Sequence, residues 1–171
     1  MAKFLFLLLF ISLLKMESCT KVEVQAEIQT KIEGKWILKH KFLGDAIDTP
    51  CGYAVTNARD ITLEISKDTE SKEPNVYKIS GNSAVNLYFG NLKINTTDAA
   101  NGISTITIGQ LGSTKMAGPP ELMQCETGYF DLFNQSVEFR IENEHLQIGV
   151  FKKDNTPSRD GGTYLIYEKA I

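Results

Sequence analysis

Few residues in this chain could do chemistry. They are three cysteines, Cys19, Cys51 and Cys125, two histidines, His40 and His145, and the acidic residues Asp45 and Asp48. A thiol attacks as its thiolate, which a neighbouring base or cation must stabilise. Neither Cys51 nor Cys125 lies beside a histidine in sequence or in a motif. His40 stands among lysines, and His145 sits in a polar turn between Glu144 and Leu146, so both are expected at the surface. Two histidines without a C-x-x-C pair do not make a zinc set. Asp45 and Asp48 lack the third spaced carboxylate and the glycine of an EF-hand loop, which makes them a solvated turn. H-E-x-x-H, G-x-S-x-G and Walker patterns are absent from the sequence. The expectation is therefore no catalytic residue, no metal, no cofactor and no enzymatic activity.

Cys19 has a different prospect. Lys3 precedes an apolar run from Phe4 to Leu14, 11 residues that suit a signal-peptide core and are too short to span a bilayer as a helix. The following Lys15-Met16-Glu17-Ser18-Cys19-Thr20 resembles a bacterial lipobox, with apolar Met16 at −3, small Ser18 at −1 and Cys19 as the acceptor. Glu17 at −2 departs from the small residue of the strict pattern, as in the looser lipoboxes of Bacteroidota-type bacteria. Lipidation of Cys19 would anchor the chain in the cell envelope, at an outer membrane facing the periplasm. The alternative is an ordinary signal peptide cut nearby. The organisation expected is a signal peptide over 1–18, a tether over 19–33 and one domain over 34–171. Lipidation would leave Cys51 and Cys125 as an even pair in an oxidising compartment. A bridge between them would close a loop of about 75 residues and add roughly 4 kcal/mol in the chain-entropy model. The sequence leaves open whether they are bridged or free thiols.

The composition suits one soluble core: 171 residues, 42% apolar and 23% charged. A net charge of −3 without a basic, aromatic-rich patch excludes a nucleic-acid partner.

The positioning elements follow from periodicity. Lys35–Lys41 with Trp36, Ile61–Ile65, Val76–Ser80, Asn86–Ile94, Gly102–Gly109, Val137–Ile141, Leu146–Phe151 and Thr163–Glu168 alternate or are β-rich, as strands do. Gly81-Asn82-Ser83 and Asn95–Asn101 are expected as turns. Pro119 and Pro120 suit a first helical turn, and Glu121 suits its positive end. Leu122, Cys125, Tyr129 and Leu132/Phe133 then recur at helical spacing. The fold class is α+β: about 7–9 strands, mostly antiparallel, with one main helix around 119–133 packed on the sheet.

Two segments resemble the META domain family of HslJ-type heat-shock lipoproteins. One is Ile79-Ser80-Gly81-Asn82-Ser83-Ala84-Val85-Asn86-Leu87-Tyr88-Phe89-Gly90. The other is the signature Thr114-Lys115-Met116-Ala117, followed by the acidic helix and the Val137–Ile148 hairpin. Many members carry a cysteine directly after the signature, where this chain has Gly118, so a disulfide using that cysteine is ruled out. The resemblance implies a compact β-rich envelope protein with a role in stress tolerance or envelope integrity, and it supplies no catalytic residues. Within the signature, Met116 is expected in the core and Lys115 in solvent. Asn82 and Asn86 are expected to satisfy turn backbone groups. Three functions stay open: a non-catalytic lipoprotein that binds an envelope protein partner, a small-hydrophobe carrier like a secretin pilot, and a secreted enzyme or protease inhibitor.

Overall fold

The computed structural model describes residues 31–55, 57–152 and 161–170. The expected signal peptide, Cys19 and most of the tether lie outside the described residues, as does most of the polar loop after Lys152.

Ten strands and one whole helix lie among the described residues, and Lys31 and Ile32 just before them are helical too. In order they are β1 (Gly34–Leu43), β2 (Ala46–Asp48), β3 (Thr62–Lys67), β4 (Val76–Asn82), β5 (Leu87–Asp98), β6 (Ile103–Ile108) and β7 (Gly112–Ser113). The helix α1 (Pro120–Asn134) follows, then β8 (Glu138–Glu142), β9 (His145–Phe151) and β10 (Gly162–Lys169). Along the strands every second side chain is buried: Trp36 and Leu38, Leu63 and Ile65, Tyr77 and Ile79, Leu92 and Ile94, Leu146 and Ile148, Leu165 and Tyr167. That alternation puts one face of each strand against a common interior.

The sheet does not stay open. It runs β10-β9-β8-β6-β5-β4-β3-β1, and β10 then pairs with β1, so eight antiparallel strands close into a barrel. The closing seam runs from Trp36↔Lys169 to Leu43↔Thr163, with a bulge between Leu38 and His40. A second bulge lies between Ile94 and Thr96 of β5. Bulges bend and twist strands, which closure requires. β2 extends the sheet as a hairpin partner of β1, and β7 pairs only with β5.

This corrects the expected helix packed on a sheet. Period-two alternation specifies one buried face, but an open sheet and a barrel share that pattern. The helix instead lies across one mouth of the barrel. Its buried face carries Cys125, Glu126, Tyr129 and Phe133. The Tyr129 ring meets Tyr88 of β5 at 5.8 Å between centroids, and its hydroxyl meets that of Tyr167 on β10 at 3.2 Å. One helix thus reaches strands on different sides of the barrel. Pro120 opens it, Glu121 sits in its first turn, and no side chain caps it.

Two expected turns are strand instead. Gly81 and Asn82 belong to β4, paired with Tyr88 and Leu87. β5 continues through the expected turn to Asp98, because the bulge lets Thr96, Thr97 and Asp98 pair with Thr105, Ser104 and Ile103. Chain entry at Gly34 falls at the opposite end from the helix, beside Ile65 of β3.

Candidate functional site

The signature stretch sits at the helix end, held by a buried polar cluster. Glu126 points from α1 towards the β4–β5 turn and is only 7% exposed. Its Oε2 accepts hydrogen bonds from the Ser83 hydroxyl, from Val85 N at 3.1 Å and from Asn86 N at 2.7 Å. Its Oε1 accepts one from Asn86 Nδ2 at 2.8 Å. Burial pushes this carboxyl up, but the Ser83 hydroxyl, the Asn86 amide and two backbone N–H groups outweigh it and hold it below 4.5. Glu126 is thus a satisfied buried anion.

Asn86 passes the clamp on to the signature. Its Oδ1 accepts from the Thr114 hydroxyl at 2.8 Å and from Met116 N at 2.7 Å. Thr114 N donates to Leu87 O at 3.0 Å, and Leu87 N donates to Thr114 Oγ1 at 3.1 Å. Two buried side chains therefore tie helix, turn and signature together. Asn86 serves backbone groups, as a turn asparagine does, though of a segment remote in sequence. Asn82 Nδ2 donates to Asp60 O at 3.2 Å.

The clamp explains a failed expectation. Met116 is not in the core but 51% exposed. Its N–H is drawn to Asn86, and the chain path set by that bond leaves the side chain outside. Lys115 and Ala117 are exposed as well. At Gly118 an added Cβ would approach Val85 Cγ2 to 2.9 Å, so a cysteine at this position would crowd Val85.

Exposed apolar residues adjoin this stretch. Leu87 and Phe89 point outward from β5, 56% and 61% exposed. The Phe89 ring lies over Gly112 of β7, where an added Cβ would come within 2.6 Å of it. Isolated apolar side chains at a surface are ordinary; these two share one outward face of β5.

The other candidate residues are scattered. Cys51 and Cys125 form a disulfide with Cα atoms 4.9 Å apart, tying α1 to the loop after β2. Beneath the helix Tyr88 donates to Thr62 O at 2.9 Å, so Tyr129 donates to Tyr88 at 2.7 Å and Tyr167 to Tyr129 at 3.2 Å. Burial raises all three phenols well above their ordinary range. His40 is exposed on β1. His145 on β9 faces Asn143 O and Glu168. Asp48 pairs with Lys41 at 3.4 Å and accepts from Thr49 N. Among the described residues no three His, Cys, Asp or Glu side chains converge as a metal set. Ser83 and Glu126 had escaped the reading of the sequence. The only signal was a glutamate following Cys125 on the buried face of a helix.

Comparison with known proteins bears on this geometry. The fold is similar to the NMR structure of a protein from Burkholderia xenovorans, with a TM-score of 0.52 and 22% identity over 85% of this chain and 87% of that one. At that identity the likeness shows the fold alone. Among curated proteins none matches the chain. The family model of the META domain matches residues 30–158, which take in β1 to β9, the clamp and the signature, and the chain belongs to the META domain family.

Proposed function

We propose that this protein is a non-catalytic envelope lipoprotein, anchored through Cys19, that supports envelope integrity by binding an apolar segment of another envelope protein. The observation that carries this is the exposed apolar group Leu87, Phe89 and Met116 on a backbone clamped by Asn86 and Glu126. A pre-organised surface loses little entropy on binding. The chain enters the barrel at Gly34, opposite the helix end. A tether preceding Gly34 would therefore hold this surface away from the membrane, towards the periplasm.

Seven aromatic side chains, Trp36, Tyr77, Tyr88, Tyr129, Tyr167, Phe133 and Phe139, are almost fully buried in the core. That weighs against a carrier that takes an acyl chain inside the barrel.

Site-specific photo-crosslinking in the native envelope tests the reading. A photoreactive residue at Phe89 should join one discrete partner, and one at Lys78, on β4, should not. The product should vanish when Leu87 and Met116 are both changed to serine. Equal products from both positions would overturn the reading. Labelling with a fatty-acid probe, wild type against Cys19→Ala, tests the anchor separately.

A further inference from the structure

The stretch from β7 into the signature is a sheet edge outside the closed circuit of eight strands. β4 takes one side of β5, pairing Ser80 with Phe89 and Gly81 with Tyr88. On the other side of β5 the same two residues meet Gly112 and Ser113 of β7, in line with β6. β8 covers the outer edge of β6 only as far as Ile106, whose N donates to Val137 O at 2.8 Å. Beyond that point, among the described residues, no strand pairs with the outer side of β7.

The hydrogen bonds fix which way the main chain faces. Thr114 N donates to Leu87 O at 3.0 Å and Met116 N to Asn86 Oδ1 at 2.7 Å, while Asn86 Nδ2 donates to Met116 O at 3.3 Å. Successive residues of a strand turn their N–H and C=O groups to opposite sides. Ser113 and Lys115 therefore turn theirs away from β5, where no group among the described residues meets them. Ser113 to Ala117 are exposed throughout. Pro119, which has no N–H, closes the edge. Main-chain groups left open at strand spacing are a template for one more strand.

The side chains say what that strand carries. Opposed residues of a strand pair share a face. Gly112 opposes Phe89, and Thr114 is bonded across from Leu87, so Met116, two residues on, lies on the same face as Leu87 and Phe89. A strand added beside Ser113–Ala117 would bring every second side chain to that apolar face. Its other side chains would join Ser113 and Lys115, a hydroxyl and an ammonium.

We propose that the partner docks by β-strand addition: an extended segment of about five residues, alternating apolar with polar side chains, pairs main chain to main chain with Ser113–Ala117. Its apolar side lies on Leu87, Phe89 and Met116. This rests on the protein-binding surface proposed above and names the kind of segment that surface takes.

The Phe89 photo-crosslink in the native envelope, repeated in two variants, tests it. Lys115→Pro removes the outward N–H and puts a ring on the edge, whereas Lys115→Ala removes the side chain and keeps the N–H. The discrete product should fall about tenfold further with proline than with alanine, as for a lost main-chain bond at an interface. Urea midpoints check that both variants fold. Hydrogen exchange of the purified cross-linked product needs no proline and decides the matter if Lys115→Pro does not fold. The Ser113 and Lys115 amides, resolved by mass spectrometry, should exchange at least about tenfold more slowly than in the free chain. Equal losses in the two folded variants, or amides that are not slowed, would overturn strand addition and leave the surface itself standing. No discrete product from Phe89 in the otherwise unchanged chain would overturn the surface, and this inference with it. A product of twice the chain's own mass would give the edge to a second copy and overturn the partner segment.

Discussion

Glu126 receives four hydrogen bonds from three residues of one turn, Ser83, Val85 and Asn86. Removing the charge leaves those donors aimed at a poorer acceptor. Glu126→Gln should therefore cost about 2 kcal/mol, within the range for bonds to charged groups, measured by urea unfolding at pH 7. The pH dependence follows from the direction of the shift. The folded carboxyl lies below its ordinary 4.5, so its contribution is complete above that value and is lost as pH falls through the lowered one. Wild-type stability should decline over that acid window, and Glu126→Gln should flatten the decline. A parallel decline in both proteins would show that other carboxylates dominate. Met116 makes the related point about reading residues. A methionine between strand and helix looks like core by type, and only the bond from its own N–H to a side chain thirty positions earlier turns it outward. Side-chain-to-backbone bonds of that range leave no local pattern.

At the scale of elements, most strands were legible because alternation is a local property, and α1 was legible from its prolines and its apolar stripe. Glycine was the misleading residue. Gly81 reads as a turn beside Asn82 and Ser83, yet it lies within β4, where an added Cβ would come 1.9 Å from Thr62 O. Its small size admits the Thr62 carbonyl that also accepts from Tyr88. Gly128, by contrast, lies on the outer face of α1 with nothing within 4 Å of an added Cβ. Gly81→Ala should destabilise by up to about 3 kcal/mol, and Gly128→Ala should stabilise by about 1 kcal/mol, both read from denaturant midpoints. The disulfide acts at the same scale. It spans 74 positions and fastens α1 to the loop after β2. Replacing Cys51 and Cys125 together by serine should cost about 4 kcal/mol. Glu126 and the tyrosine chain would still hold the helix on the mouth, so near-ultraviolet dichroism should stay native-like below the lowered midpoint.

The whole molecule owes its shape to the β1–β10 seam, which joins the two ends of the described chain. Nothing local to either strand announces that partnership, since Trp36–Leu43 and Thr163–Lys169 alternate as edge strands would. Closure removes both sheet edges and encloses the interior. The enclosed space is then taken by the protein itself: Trp36, Tyr77 and Phe139 from the wall and Tyr129 and Phe133 from the helix are each at most 2% exposed. An acyl chain could enter only by displacing these rings, and buried large side chains resist displacement at several kcal/mol each. Native mass spectrometry of the gently purified full chain should accordingly show no exchangeable lipid beyond any anchor at Cys19. A Phe133→Ala variant opens a space under the helix and serves as the positive control. If the wild type carries a lipid that is displaced by added fatty acid, the helix must swing off the mouth. Binding would then belong to the barrel interior instead of the Leu87–Phe89–Met116 surface.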